Sequence, residues 1–264
     1  MLNIRNLVKI YDDGTEALKG VSFDVEDGEF LIIIGLSGSG KSTLLRCINR
    51  LIEPTSGEII WNGEDIVQAD TSHLREIRRQ IGMVFQHFNL VKRSTVLKNV
   101  LAGRLGYINP ALSVFNKFPQ ADIEMAYEAL KRAGIEDQAH KRADELSGGQ
   151  QQRVGIARAL MQNPKMILAD EPVASLDPVL AHSILGYLEK VNKEEKMTVL
   201  CSLHYLDLVQ RYATKVIGLR NGRIVYRGTG EDIRKMTDAE FKQIYGEEAE
   251  RVSVGPNSAK NMEK

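Results

Sequence analysis

Cysteine is scarce in this chain, and long apolar runs are lacking. The only two cysteines, Cys47 and Cys201, lie among apolar residues, which predicts buried free thiols and a reducing compartment. No stretch approaches the ~18 apolar residues of a membrane-spanning helix. The first residues also lack the apolar segment of a cleavable signal. We therefore expect a cytosolic protein that is free to dock onto a membrane protein.

An excess of charge of either sign is lacking as well. Lys and Arg number 35 and Asp and Glu number 35, so the formal net charge is zero. This balance argues against a protein that overall charge drives onto nucleic acid, although it leaves room for a local basic patch. The 264 residues suffice for one large domain or two small ones with a core of ordinary size.

The most informative feature that is present is a glycine-rich loop between a strand and a helix. The apolar run Phe30–Ile34 predicts a buried strand, and Leu44–Ile48 predicts the helix that follows the loop. Glycines let backbone N–H groups converge on one point, at which the helix also directs its positive end. Lys41 adds a charge for the outer phosphates, and the Ser42 hydroxyl is a ligand for Mg²⁺. The pattern predicts a phosphate-binding loop made of Gly35, Leu36, Ser37, Gly38, Ser39, Gly40, Lys41, Ser42 and Thr43.

Two adjacent carboxylates end a second apolar run. The predicted strand that starts at Met166 leads into Asp170 and Glu171, and strand alternation should send these two side chains in different directions. Asp170 is then available to hold Mg²⁺, directly or through water, while Glu171 faces an attacking water. Because a phosphate loop is present in the same chain, this catalytic interpretation is favoured over a solvated strand end.

Two further helix starts and two strand ends carry candidate residues. Ser147 is placed to cap a helix whose first residues, Gly148 and Gly149, leave room for an anion, although such a turn is often only a loop entering a helix. Asp177 precedes Pro178 as the cap of another helix. Ligands gather at strand ends in open α/β sheets. Gln86 and His204 each follow a predicted strand end, which makes them candidate site residues. The structural alternatives are a polar cap for Gln86 and an ordinary histidine for His204.

The chain divides into regions of different pattern. Residues 2–30 predict antiparallel β structure, and residues 87–163 predict a helical subdomain inserted into the sheet domain. We expect one α/β domain over residues 1–249. The polar residues 250–264 predict a disordered tail.

The ordered set resembles the ATP-binding cassette (ABC) ATPases over about residues 2–246. Gly35–Thr43 is similar to the Walker A loop, Met166–Asp170 to Walker B, and Leu146–Gln150 to the signature that defines the family. The resemblance implies a RecA-like P-loop NTPase core with an antiparallel β subdomain and an inserted helical subdomain. It also implies that the cofactors are ATP and Mg²⁺.

The same resemblance implies roles for individual residues. Tyr11 would stack on adenine, Glu171 would be the catalytic glutamate, and His204 would be the switch histidine near the γ-phosphate. Asp177 would lie in the loop that crosses a dimer interface. The implied metal ligands are Ser42, Gln86 and Asp170.

The resemblance further implies a head-to-tail homodimer. The Walker loop of one subunit holds ATP, and the signature of the other subunit closes over it. The signature residues that act in trans are Ser147, Gly148, Gly149 and Gln150. Every consensus position is filled in this chain, so both composite sites are expected to be active.

The chain resembles the phosphonate importer branch of the family at Asn99–Tyr107, Pro172–Asp177 and Leu203-His204. This implies the ATPase motor of a bacterial importer for phosphonate, phosphite or a related oxyanion, on the cytoplasmic face of the membrane. Its partners would be permease subunits, an extracytoplasmic solute-binding protein acting indirectly, and no nucleic acid. The permease is expected to dock near Phe88, Asn89 and Leu90 and the helices that follow.

Other functions remain as alternatives. The cassette could serve an importer of another small solute, such as polar amino acids, because a cassette never touches the cargo. A soluble ABC ATPase acting on nucleic acid or ribosomes usually carries two cassettes or a long coiled coil, and this chain has neither. A P-loop kinase or GTPase would lack the signature at Ser147–Gln150, and a non-catalytic regulatory cassette would not need Glu171 and His204.

Overall fold

The computed structural model describes residues 1–108, 117–174 and 176–246. Contacts between residues divide the chain into two compact units. The first comprises Met1–Val67 together with the described residues from Cys201 onward, and the second comprises Gln68–Leu200. Each unit is described by itself.

A four-stranded antiparallel sheet occupies much of the first unit. Its strands are β1 (Leu2–Ile10), β2 (Glu16–Val25), β4 (Ser56–Trp61) and β5 (Glu64–Asp65), in the spatial order β2-β1-β4-β5. The hairpin between β4 and β5 turns at Asn62 and Gly63, both with positive φ, as such a dipeptide favours. The predicted antiparallel β structure over residues 2–30 is confirmed.

A second group of strands in the first unit carries the glycine-rich loop. Strand β3 (Phe30–Ile34) is fully buried and pairs in parallel with β9 (Lys215–Arg220), which pairs antiparallel with β10 (Arg223–Gly228). Five consecutive buried apolar residues are typical of a strand covered on both faces. The helices of this unit are α1 (Lys41–Ile48), α7 (Leu206–Tyr212), α8 (Gly230–Arg234) and α9 (Asp238–Tyr245).

The second unit contains most of the helices. These are α2 (Thr71–Arg79), α3 (Val96–Leu101), α4 (Gln120–Arg132), α5 (Gly148–Leu160) and α6 (Pro178–Glu195). Strand β6 (Ile81–Val84) pairs in parallel with β7 (Met166–Ala169), and β8 (Thr198–Ser202) runs across the division into the first unit. Apolar side chains of α3, α4 and α5 form one continuous core that includes Val100, Leu130 and Val154. The predicted subdomain of residues 87–163 falls within this unit and stays a prediction.

Caps set several of the helix boundaries. Helix α2 begins at Thr71, because the Asp70 carboxylate accepts hydrogen bonds from the backbone N–H groups of Ser72 and His73 at 2.8 Å each. Each such cap satisfies N–H groups that the first helical turn leaves unpaired. Charge patterning alone does not show where this helix starts.

The two cysteines are buried free thiols, as predicted. Burial raises the pKa of Cys47 to about 12, so this side chain stays a neutral thiol at physiological pH. Among the described residues, no helix is both long enough and apolar enough to span a bilayer. The predicted tail of residues 250–264 lies outside the described residues.

Candidate functional site

The glycine-rich loop follows β3 directly and is pressed against neighbouring backbone. A Cβ atom on Gly35, where φ is 144°, would lie 2.2 Å from the carbonyl oxygen of Leu219. A Cβ atom on Gly40, where φ is 107°, would lie 2.5 Å from the carbonyl oxygen of Ala17. Both the dihedral angles and the close approaches therefore require glycine.

Lys41 is the first residue of α1 and is almost completely buried, with 3% of its surface exposed. Its Nζ atom donates hydrogen bonds to the carbonyl oxygens of Gly35 at 2.8 Å and Leu36 at 2.9 Å. The loop therefore wraps around the ammonium group and fixes the position of its charge. Gly40 precedes the helix and offers no side chain to cap it. A charge and a helix N-terminus held at one place form an anion-binding arrangement.

A pocket of about 480 Å³ lies at this loop, within the first unit. Tyr11 is one of its walls, and the Tyr11 hydroxyl lies 3.1 Å from Oγ1 of Thr43, at the end of the loop. The ammonium of Lys9 lies 5.2 Å from the centre of the Tyr11 ring. The structure thus brings together the predicted aromatic residue and the predicted phosphate loop.

Five residues that line this pocket were not predicted from the sequence, namely Thr15, Glu16, Ala17, Lys19 and Asn221. Asn221 arrives from the β9–β10 turn. There, the N–H of Gly222 donates to the carbonyl oxygen of Ser39 at 3.0 Å, and the Gly222 carbonyl accepts from the N–H of Lys19 at 2.8 Å. The Asn-Gly turn was visible in the sequence, but its contact with the loop depends on tertiary packing.

His204 follows β8, also within the first unit. The N–H of Leu203 donates to the carbonyl oxygen of Ile33 at 3.0 Å, so the end of β8 meets the end of β3 just before the loop begins. The predicted histidine therefore stands after a strand end at the edge from which the phosphate loop emerges. Its side chain is partly buried.

In the second unit, Gln86 and Asp170 follow the ends of two paired strands. Val84 of β6 lies opposite Ala169 of β7, and the N–H of Asp170 donates to the carbonyl oxygen of Val84 at 2.9 Å. Asp170 is completely buried. Each residue was predicted separately to follow a strand end, and the register places both ends at one edge of this strand pair.

Glu171 differs from the expectation in its backbone conformation. Strand β7 ends at Ala169, so strand alternation does not decide where Glu171 is directed. Instead, Glu171 has a φ of 47°, in the left-handed region that a residue with a side chain rarely adopts. Such a conformation costs about 1 kcal/mol or more and is concentrated at functional sites. The chain therefore leaves the end of β7 through a strained backbone conformation at Glu171.

The signature segment forms the start of α5 with a reciprocal cap. The Ser147 hydroxyl accepts from the N–H of Gln150 at 3.4 Å, and the Gln150 side-chain oxygen accepts from the N–H of Ser147 at 3.0 Å. A Cβ atom on Gly149 would lie 2.8 Å from Cδ1 of Leu180, whereas one on Gly148 would meet only a Phe88 ring carbon at 3.8 Å. A side chain at Gly149 would therefore displace the Leu180 side chain, so this glycine contributes to the packing between the two helices.

Asp177 caps α6, as predicted. Its Oδ1 atom accepts from the N–H of Leu180 at 3.0 Å, and Pro178 occupies the first helical turn. Because Leu180 is also the side chain that packs on Gly149, the starts of α5 and α6 are in contact. The structure therefore brings the signature and the Asp177 loop together in the second unit.

Comparison with known proteins gives consistent results. A family model described as "ABC transporter" matches residues 18–174. The phosphonates import ATP-binding protein PhnC of Bacillus anthracis is 53% identical over 247 residues, which cover 94% of this chain and 95% of that protein. PhnC of Bdellovibrio bacteriovorus is 51% identical over 258 residues and 97% of each chain.

Solved structures agree with the sequence relatives. The dimeric post-hydrolysis state of the ATP-binding cassette MJ0796, bound to ADP and Pi, is 37% identical with a TM-score of 0.78, covering 87% of this chain and 98% of that one. The ADP conformation of the cassette MJ1267 is 33% identical with a TM-score of 0.80, and the match covers 92% of this chain and 97% of that one. These similarities confirm the predicted resemblance and fold class.

A glycine substitution tests whether the β9–β10 turn positions the loop. Gly222→Ala places a Cβ atom 2.8 Å from the carbonyl oxygen of Ala17 at a φ of 77°. We expect its ATP affinity, measured by titration calorimetry, to fall about tenfold or more, because the shift reaches Ser39 and the pocket wall. A steric displacement that costs about 1.4 kcal/mol of binding corresponds to that factor.

Gly63→Ala is the matched control. Gly63 also follows an asparagine in a hairpin turn, at a φ of 87°, but nothing lies within 4 Å of its Cβ position. It should lose about 1 kcal/mol of folding stability from the left-handed backbone alone and keep its ATP affinity. Equal ATP affinities for the two variants would contradict a positioning role for the turn.

Proposed function

Because this chain belongs to the ABC transporter family, we propose that it is the ATP-hydrolysing subunit of a bacterial importer for phosphonate or a related phosphorus oxyanion. The observation that carries the proposal is an identity of about half, over nearly the whole chain, to several proteins named as phosphonates import ATP-binding proteins. Cargo would pass through a separate permease, and this chain would supply the work of ATP hydrolysis.

ATP is assigned to the pocket of the first unit. Tyr11 would stack on the adenine ring, and the residues of the loop from Gly35 to Thr43 would surround the phosphates. Support comes from the buried charge of Lys41 at the start of α1 and from Gly35 and Gly40, where the backbone leaves no room for a side chain. Phosphoryl transfer needs mainly positioning and charge neutralisation, which such a loop provides.

Mg²⁺ is assigned to Ser42, Gln86 and Asp170, whose oxygen atoms are the hard ligands that this ion prefers. Among the described residues, no group of three or more His, Cys, Asp or Glu side chains could hold a metal by itself. A set with a single carboxylate suits an ion that draws further ligands from substrate phosphates and water. When bound, the ion would neutralise charge that develops on those phosphates.

Hydrolysis and dimer closure are assigned to the remaining site residues. Glu171 would orient and polarise the attacking water, and His204 would contact the γ-phosphate. Ser147, Gly148, Gly149 and Gln150 would approach the ATP of a second copy of the chain, with Asp177 in the interface loop. The capped start of α5 and its contact with α6 support this, as does the dimeric structure of the similar cassette MJ0796.

The cellular setting follows from the importer role. We assign the protein to the cytoplasmic face of the membrane, held there by permease subunits, with a solute-binding protein acting on the opposite side. The predicted docking surface around Phe88, Asn89 and Leu90 continues into Val91, whose side chain is 65% exposed. No nucleic-acid partner is proposed.

Replacing the proposed catalytic glutamate tests the function. In the complete importer, Glu171→Gln should lower ATP turnover at least about a hundredfold, because a positioned general base contributes about that much or more. Glu194→Gln, an exposed position on α6, is the matched control and should keep normal turnover. The rate of ATP turnover is measured from the release of inorganic phosphate.

Growth of cells on methylphosphonate as the only phosphorus source tests the identity of the cargo. Cells that lack this protein should regain growth with the original chain or Glu194→Gln, but not with Glu171→Gln. Growth in the absence of this chain would contradict the proposed cargo, and normal turnover by Glu171→Gln would contradict the proposed mechanism.

A substitution at Val91 tests the docking surface. Arg104 is unsuited to this purpose, because its Nε atom donates to Asp122 Oδ1 at 2.9 Å and a charge reversal would break this largely buried ion pair. The Val91 backbone is held by Asn99, so Val91→Glu changes only an exposed side chain. We expect weaker co-purification with the permease and unchanged ATP binding.

Gln243→Glu is the control for this experiment, since it also adds one negative charge at an exposed position, on α9 and outside the predicted docking region. It should leave permease binding intact. Co-purification of the permease with Val91→Glu at the normal yield would place the docking surface elsewhere.

A further inference from the structure

We propose that a second cavity, lined by three arginines of α2, binds a small organic phosphonate or phosphate ester. The cavity has a volume of about 480 Å³ and lies within the second unit. That volume is in the usual range for small-molecule sites. No role in ATP binding or dimer closure has been assigned to any residue of its wall.

One wall of the cavity is strongly basic. Arg75, Arg78 and Arg79 line it, and their spacing along α2 places them on the same helix face. Of the described residues that line the cavity, none is acidic. Glu76, the acidic residue of this helix, lies 3.7 Å from His73. In a chain with no net charge, this wall is a local concentration of positive charge.

Two of these arginines have no carboxylate partner. Within the described part of the chain, neither Arg75 nor Arg79 forms an ion pair or a side-chain hydrogen bond, and Nε of Arg79 is buried without an acceptor. Exposed arginines are often unpaired, but a guanidinium with a buried and unsatisfied donor is uncommon because the unmet hydrogen bond is costly. An anion in the cavity would supply the acceptor charge that the protein does not.

Tyr107 also lines the cavity and is held in place through its hydroxyl. This hydroxyl donates to the carbonyl oxygens of Arg79 at 3.0 Å and Gln162 at 2.8 Å. The guanidinium carbon of Arg104 lies 4.0 Å from the centre of the Tyr107 ring, and that of Arg79 lies 5.3 Å from it. Because Asp122 neutralises Arg104, the arginines of α2 remain as the source of positive charge for a ligand.

Apolar side chains line another part of the cavity, beside Gln162 and Tyr107, and they indicate a ligand that also carries an organic group. Ala102 and Ile108 contribute to the cavity, as does Leu105, which is 49% exposed. Guanidinium groups match the oxygen atoms of a phosphonate or phosphate in paired hydrogen bonds. A ligand with a phosphorus oxyanion at one end and a short organic group at the other suits both the arginines and the apolar side chains.

This class includes the cargo proposed above, so the occupied cavity would sense cargo that has already entered the cell. That regulatory interpretation rests on the proposed function, whereas binding itself does not. If cells show no phosphonate uptake through this chain but the purified protein still binds phenylphosphonate in the cavity, the proposed cargo fails and the site stands.

Titration calorimetry with phenylphosphonate tests the site on the full-length protein. The protein is first saturated with Mg²⁺ and a non-hydrolysable ATP analogue, so that the phosphate loop is filled. We expect one binding event per chain, weakened at least tenfold in Arg79→Gln and severalfold in Arg75→Gln. The Arg75 side chain is exposed, so Arg75→Gln remains informative if Arg79→Gln is unstable.

Arg234→Gln removes the same charge from an exposed position at the end of α8 and should bind normally. Inorganic phosphate, used as a second probe, should bind more weakly than phenylphosphonate because it lacks a group for the apolar wall. Absence of binding with the loop filled, or an equal loss in Arg234→Gln, would overturn the site. Equal affinity for the two probes would overturn the assignment to an organic ligand.

Discussion

The close packing of the phosphate loop against neighbouring backbone is the constraint on which the first unit depends. Carbonyl oxygens of Ala17 and Leu219 lie where a side chain on Gly40 or Gly35 would have to be. The turn at Gly222 is bonded both to the loop and to β2. The pocket beside the loop is therefore shaped by β2, the loop and the β9–β10 turn together, and the loop holds Lys41 through two carbonyl oxygens.

A comparable constraint operates at the helix starts of the second unit. Ser147 and Gln150 cap α5 reciprocally, Asp177 caps α6, and Leu180 packs where a side chain on Gly149 would lie. Two segments that the proposed dimer requires at one interface are thus capped separately and packed against each other through Gly149 and Leu180.

Features that depend on local chemistry were predictable from the sequence. The strand, glycine-rich loop and helix around Lys41, the caps at Ser147 and Asp177 and the buried thiols all follow from residue types and their spacing, and they are confirmed. Phosphate binding by this loop stays a prediction. Features that depend on tertiary packing were not predictable. Asn221 reaches the pocket beside the loop through a hairpin far along the chain, and the left-handed backbone of Glu171 cannot be inferred from a strand pattern.

The most direct test of the composite ATP site is the mass of Glu171→Gln in solution, measured by size exclusion with light scattering. With hydrolysis blocked, the account predicts a monomer without nucleotide and a dimer with ATP and Mg²⁺. Adding Ser147→Arg should abolish the dimer, because the signature would no longer fit against ATP of the other copy. A dimer that survives Ser147→Arg, or a Glu171→Gln protein that binds ATP and stays monomeric, would contradict it.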